Sequence, residues 1–285
     1  MSSKTRIGGH VSAAGGLTQA LLRGREIGAN TIQIFASSPR QWNASLPTLK
    51  EADEFKKLSH EFDISPIFIH APYLINLASP VVGLRQKSKA LLKKNLEAGE
   101  LIGAEGVIFH LGSGMGSDPG TAREYLAGAV VGILKEVPGK SKLILENSAG
   151  GGDKLGSSLE DLAGILKLIG VTKRVAVCFD TAHAFESGLV SKYDSAGISN
   201  LRRNIDKFIG WENISCLHVN DSKTEAGSKH DQHQNIGQGY VGLEGFGRLA
   251  RIQEFRRVPW LLEVPGFASE GPDKKNVDII RGLFG

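Results

Sequence analysis

Short apolar runs recur eight times along this chain, each followed by a turn and, in most cases, a longer amphipathic stretch. That alternation restricts the fold more than any other feature. The runs are RIGGHVS (6–12), TIQIFA (31–36), PIFIHAP (66–72), GVIFHLG (106–112), KLILENS (142–148), VAVCFDTAH (175–183), ISCLHVND (214–221) and PWLLEVPG (259–266). Stretches 17–29, 48–62, 88–104 and 158–170 carry apolar residues at three- and four-residue spacing, which predicts helices. Thr48 stands three residues before Glu51, the spacing of a capping box, and Ser158 before Asp161 is a less complete version. Eight strand–helix units in series predict an α/β fold, a single (β/α)8 barrel over residues 1–285, and no glycine-rich dinucleotide fingerprint follows the first strand.

Composition agrees with a large core: 41% of residues are hydrophobic and 22% charged, too little charge for disorder. The net charge of +4 permits a polyanionic partner without requiring one. There is no charged-then-apolar leader and no run of about 18 apolar residues, so a cytoplasmic protein with no membrane partner is expected. Cys178 and Cys216 both lie in apolar runs and are expected to be buried free thiols.

In such a barrel the loops that follow the strands carry the active site. The longest irregular stretches, 37–47, 111–120 and 221–240, all follow strands. His70, His110, Glu146, Asp180, His218 and Glu263 fall at the ends of the third to eighth strands, His183 lies one turn beyond Asp180, and Asp231 and His233 lie in the loop after the seventh. Residues two apart share a face of a strand. Phe68, Ile108, Ile144, Cys178, Cys216 and Leu261 each precede the polar residue by two, so an apolar layer should lie directly beneath a polar rim.

A lone histidine in a strand is more often a hydrogen-bonded core residue than a ligand, and Asp180 with Thr181 reads equally well as a helix cap. Glu146 and Glu263, however, would be costly at the ends of hydrophobic strands without a compensating cation. Five imidazoles and four carboxylates exceed the donors one ion needs, so two or three ions are expected. Donors of this kind without thiolate point to zinc or manganese. His60, in a charged helix, is expected at the surface; His10 ends the first strand behind the proposed ligands; His230 neighbours two of them.

The stretches GGHVSAAGGL (8–17), HAPYLINLASP (70–80), FHLGS (109–113), ILENSAG (144–150), CFDTAHAFESG (178–188), HVNDSK (218–223) and DQHQNIGQG (231–239) resemble the endonuclease IV family over nearly the whole chain. The resemblance implies a zinc-dependent DNA-repair hydrolase built on a xylose-isomerase-like TIM barrel, cutting duplex DNA 5′ to abasic sites to leave a 3′-hydroxyl and a 5′-deoxyribose phosphate. It implies a further activity on blocked 3′ ends and a monomer. It also implies three zinc ions, with manganese an alternative at one or more positions. Glu146 would bridge two ions, with His70 and His110 completing one site and Asp180, His218 and Glu263 the second, while His183, Asp231 and His233 would hold the third. A hydroxide between two metals would be the nucleophile, since coordination lowers the pKa of water from about 15.7 towards 7, so Glu146 would serve catalysis by holding the metal pair.

On the same resemblance Arg40, Gln41 and Tyr73 would contact DNA from the C-terminal face as the damaged nucleotide is flipped out. Trp42 is expected to pack over the barrel rim, and the basic segment KSKALLKK (87–94) to form a solvated helix face. One departure concerns charge: the family's metal loop usually reads Asp-Arg-His, whereas Gln232 stands here between Asp231 and His233, with Lys229 the neighbouring cation. A metal-dependent sugar isomerase on the same barrel is the rival enzyme, and it would have no use for the Asp231/His233 pair. A non-catalytic DNA- or metal-binding protein is the other.

Overall fold

Ten strands and nine α-helices make up the computed structural model, which describes residues 5–170 and 172–285. Strands β1 (Ile7–His10), β2 (Ile32–Ile34), β3 (Ile67–His70), β4 (Gly106–His110), β5 (Lys142–Glu146), β6 (Val175–Asp180), β7 (Ile214–His218) and β10 (Trp260–Leu262) are all parallel and close into a barrel, with β10 pairing back onto β1. The remaining two, β8 (Asp221–Ser222) and β9 (His233–Gln234), form a small antiparallel hairpin in the loop after β7. The helices are α1 (Leu17–Glu26), α2 (Leu49–Glu61), α3 (Val82–Ile102), α4 (Pro119–Glu136), α5 (Leu159–Ile169), α6 (Thr181–Glu186), α7 (Ser195–Asn204), α8 (Gly242–Leu249) and α9 (Lys274–Gly282). The eight-stranded α/β barrel expected from the sequence is therefore observed.

Local chemistry accounts for the helix boundaries. Thr48 caps α2 through the Glu51 amide, and the Glu51 carboxylate returns to the Thr48 amide, a reciprocal pair that satisfies two otherwise free donors. Ser158 caps α5 alone, because the Asp161 carboxylate turns away to the Gly156 amide and to Arg123. Helix α3 begins six residues before the expected position 88. Its first turns are largely exposed and show no apolar face, so periodicity could not reveal them. It ends at Gly103 with φ +72°, a left-handed position that suits glycine.

Two apolar regions hold the fold. The larger lies between strands and helices and includes Leu21, Phe55, Leu92, Phe109, Phe179 and Trp260. Phe55 joins α2 to this core, and its truncation to alanine would cost about 3–5 kcal/mol. The second fills the barrel and consists of Phe68, Ile108, Ile144, Ala176, Cys178, Cys216 and Leu261. All six residues expected in that layer are present, and both thiols are free and buried. At Gly8 the barrel wall has no room for a side chain, because a Cβ there would lie 1.7 Å from the Thr31 carbonyl oxygen. The basic segment of α3 is only partly free in solvent: Lys89 and Lys93 reach Glu136 at 2.7 and 3.1 Å, and Lys94 donates to the Ala44 carbonyl.

Candidate metal centre

Strand register places the polar residues side by side. His110 is the parallel partner of Glu146 across β4 and β5, and Asp180 is the partner of His218 across β6 and β7. Glu146, fully buried, lies at the centre. Its Oε2 is 3.2 Å from His70 Nε2 and 3.1 Å from His110 Nε2, and its Oε1 is 2.8 Å from His218 Nδ1 and 3.4 Å from His183 Nδ1. Glu263 follows β10 by one residue and brings Oε2 to 3.3 Å from His218 Nδ1.

Three groups have ligating atoms all within 4.8 Å of one another: His70, His110 and Glu146; Glu146, Asp180, His218 and Glu263; and Asp180, His183 and His233. The first two are the sets expected from the sequence. In the third, Asp180 joins the two histidines, and Asp231 approaches from outside, 3.2 Å from His183 Nε2 and 3.6 Å from His233 Nε2. Asp180 belongs there because its carboxylate has two functions. Oδ1 accepts from the His183 amide and caps α6, while Oδ2 faces the cluster, 3.8 Å from His218 Nδ1 and 3.9 Å from His233 Nε2. Cap and cluster member, alternatives in the sequence, coexist in one side chain.

Four of the five imidazoles have their outer nitrogen occupied. Nδ1–H of His70 donates to the Ala71 carbonyl, that of His183 to the Asn147 carbonyl and that of His233 to the Glu263 carbonyl, while Nε2–H of His218 donates to Gln33 Oε1. The inner nitrogens then turn to the carboxylates. His183 Nε2 and His233 Nε2 are buried and have no hydrogen-bond partner among the described residues. Buried, unpartnered ring nitrogens beside carboxylates are donors that fit a divalent cation such as zinc or manganese.

Electrostatics follow from this crowding. Burial alone would raise the Glu146 carboxyl, but His218 and His110 outweigh it and hold the group well below the usual carboxylate range. Glu263 is held low in the same way by His218 and His10, against burial. For His218 burial opposes the charged form, yet Glu263, Glu146 and Asp180 push its pKa up to about 10. His183 is raised well above the ordinary value by Asp180, Asp231 and Glu146, again against burial. Imidazoles and carboxylates thus favour one another's charged forms within the buried cluster.

Two cavities open over the cluster. One of about 380 Å³ is lined by Tyr73, His110, His183, Asp231, His233, Glu263 and Pro265. The other, of about 950 Å³, shares Tyr73, Glu263 and Pro265 with it and extends past His10, Phe35 and Ser37 between the loops after β1, β2 and β10. Glu51 and Glu270 line its outer part, and no lysine or arginine does among the described residues. Tyr73 is 66% exposed, with its ring 5.7 Å from Phe35 and 5.8 Å from His110. Arg40 and Gln41 are exposed on the loop after β2. Trp42, on the same loop, is 36% exposed. His60 is exposed as expected, and so is His230. Gln232 and Lys229 are exposed, and the Lys229 amide donates to the Glu186 carbonyl.

Sequence reasoning missed the residues that hold the cluster in place. Gln33, Asn147 and Asn220 are buried amides in contact with it, and Asn220 joins Asp180 Oδ2 at 2.7 Å to the Glu263 amide at 2.7 Å. Asp221, in β8 itself, and Glu186, which accepts from Ser222 Oγ, are buried carboxyls at the hairpin. The available signal was a polar residue inside an apolar run, as in IQI and HVND, and it has no direction until the partner strand is known.

The chain matches the xylose isomerase-like TIM barrel family over residues 21–282. It is 35% identical over 281 residues to a probable endonuclease 4 of Chloroflexus aurantiacus, covering 98% of both chains. Endonuclease IV from Thermus thermophilus superposes with a TM-score of 0.85 at 32% identity, covering 98% of each chain. A D-tagatose 3-epimerase-like protein superposes with a TM-score of 0.70 at 18% identity, a likeness of fold alone. The chain belongs to the xylose isomerase-like TIM barrel family, and within it to the endonuclease 4 proteins.

Proposed function

We propose that this protein is a metal-dependent DNA-repair endonuclease that hydrolyses the phosphodiester 5′ to abasic sites in duplex DNA, leaving a 3′-hydroxyl and a 5′-deoxyribose phosphate. The observation that carries the reading is the orientation of the imidazoles: outer nitrogens tied to fixed acceptors, inner nitrogens presented to carboxylates. His70, His110 and Glu146 would hold one zinc ion, and Glu146, Asp180, His218 and Glu263 a second. His183, Asp231 and His233 would hold the third, with Asp180 beside it. Manganese fits the same donors. When bound, the ions supply a nucleophile at neutral pH and offset the charge that grows on the phosphoryl and leaving oxygens.

The chain's own residues do the rest. Glu146, fully buried among the imidazoles, would act by holding the metal pair and not as a general base. The larger cavity has carboxylates and hydroxyls on its wall and no cation, which favours an uncharged abasic sugar over a second phosphate. Tyr73, exposed at the mouth, would stack where the sugar leaves the duplex, and Arg40 and Gln41, exposed on the loop after β2, would fill or prop the gap. Lys229, three residues before Gln232, would be the neighbouring cation in place of the family's usual arginine. Blocked 3′ ends present the same phosphodiester and are the second expected substrate, and the enzyme is expected to act in the cytoplasm as a monomer.

The test is cleavage of an end-labelled duplex bearing one reduced abasic site, a substrate that cannot break by β-elimination. A nick 5′ to the lesion, lost on prolonged chelation and in Glu146→Gln, is expected. No nick from protein shown to contain its metals would refute the reading and direct assays to sugar isomerisation.

A further inference from the structure

Strand β2 contributes no expected ligand, yet its Gln33 is fully buried and its amide is engaged on both sides. Nε2 donates to Glu263 Oε1 at 2.6 Å and to His10 Nδ1 at 2.9 Å, and Oε1 accepts from His218 Nε2–H at 2.7 Å. The opposite orientation of the amide would set its oxygen against the Glu263 carboxylate and its NH2 against the His218 proton, so the orientation is determined. Two consequences follow for one donor group. His218 must carry its hydrogen on Nε2, which leaves Nδ1 for the cluster, 2.8 Å from Glu146 Oε1 and 3.3 Å from Glu263 Oε2. Glu263 has one oxygen occupied, which leaves the other aimed at the same point.

We propose that Gln33 is a positioning residue for the group formed by Glu146, Asp180, His218 and Glu263, setting the tautomer of the imidazole and the rotamer of the carboxylate before an ion arrives. This rests on the metal-dependent reading above. Outer partners of this kind change metal affinity or activity by about 10–100-fold when removed. The effect should fall on one group of three, because the Gln33 side chain hydrogen-bonds only His10, Glu263 and His218 among the described residues.

The test uses metal-loaded wild-type protein, Gln33→Met, which keeps the length of the side chain, and Gln33→Glu, which keeps an acceptor for His218 but opposes Glu263. Metal content is counted by mass spectrometry, release to a chelator is followed with time, and the melting temperature of the metal-free chains is recorded. For Gln33→Met one release phase should accelerate about 10–100-fold while the others keep their rates, and Gln33→Glu should release that ion at least as fast as Gln33→Met. Unchanged release in Gln33→Met, or faster release accounted for by a matching loss of metal-free stability, overturns the proposal. Wild-type release in Gln33→Glu does so for the Glu263 contact and, should Gln33→Met fail to fold, decides the matter alone. A wild-type chain that holds no metal defeats the metal reading itself, whereas equal release from wild type and variants defeats only the role of Gln33.

Discussion

Replacing Asp221 with asparagine exchanges one carboxylate oxygen for an NH2 group and should disturb both the fold and the third metal position. The carboxylate is fully buried and accepts five backbone amides. Oδ2 receives those of Gly237 and Gly239 at 2.9 and 3.0 Å, and Oδ1 those of Ser222, Val241 and Gly242 at 2.9, 2.9 and 3.3 Å. An asparagine amide, whichever way it turns, points its NH2 at two or more of these N–H groups. Each lost bond to a charged acceptor is worth about 1.5–3 kcal/mol, so the loss is about 3–6 kcal/mol. Unfolding entropy of about 2.1 cal/mol/K per residue gives about 0.6 kcal/mol/K for 285 residues, so the metal-free chain should melt about 5–10 °C lower. Asp231 and His233 ride on the loop this carboxylate ties down, so one ion should be lost before the others. Calorimetry of the metal-free chains and metal counting of the loaded ones measure the two effects. A melting temperature within about 1 °C of wild type, together with equal metal content, would refute the reasoning.

Three more outcomes are expected. Prolonged chelation should lower the melting temperature by about 7 °C per ion, since a ligand at 1,000 times its Kd adds about 4 kcal/mol; identical melting of chelated and reloaded protein would contradict a metal centre. Burial raises the Glu186 carboxyl to about 7 from 4.5, against hydrogen bonds from Ser222 and Gln232. The folded chain therefore binds that proton more tightly than the unfolded one, and the resulting stability is complete below about pH 4.5 and lost as pH rises through about 7. Glu186→Gln, which stays neutral, should match wild type near pH 4.5 and exceed it at pH 8 in denaturant midpoint, and parallel curves would exclude the effect. Tyr73→Ala should weaken binding to an abasic duplex by about 1–3 kcal/mol, the worth of one stacked aromatic, with metal content unchanged; equal mobility-shift affinities would remove Tyr73 from the DNA interface.

The barrel was legible because each apolar run is a strand buried on both faces, and the period-two phase from Phe68 to His70 or Ile144 to Glu146 already separates floor from rim. That six polar residues share one rim was legible for the same reason, since strand ends in a closed barrel must converge; their division into donor groups came from the likeness to the endonuclease IV family. Asp180 in the third group was not legible, because its second oxygen reaches His233 only after the hairpin of β8 and β9 has folded back. Gln33 and Asp221 were hidden for a related reason. Each acts through contacts far away in the chain, Gln33 with Glu263 and Asp221 with Gly242, and a single amide or carboxylate in an apolar run does not name its partner. The start of α3 was obscured by exposure, which removes the periodic signal that marks a helix.

The apolar layer of Phe68, Ile108, Ile144, Cys178, Cys216 and Leu261 acts as a stopper in a bottle. Nothing charged can pass through it, so any ion held above it would enter and leave by the mouth alone, beside the partly exposed His110, Asp231 and His233. A chelator would have to work from that side too, with Glu146, Asp180 and His218, none of them exposed, the donors furthest from its reach.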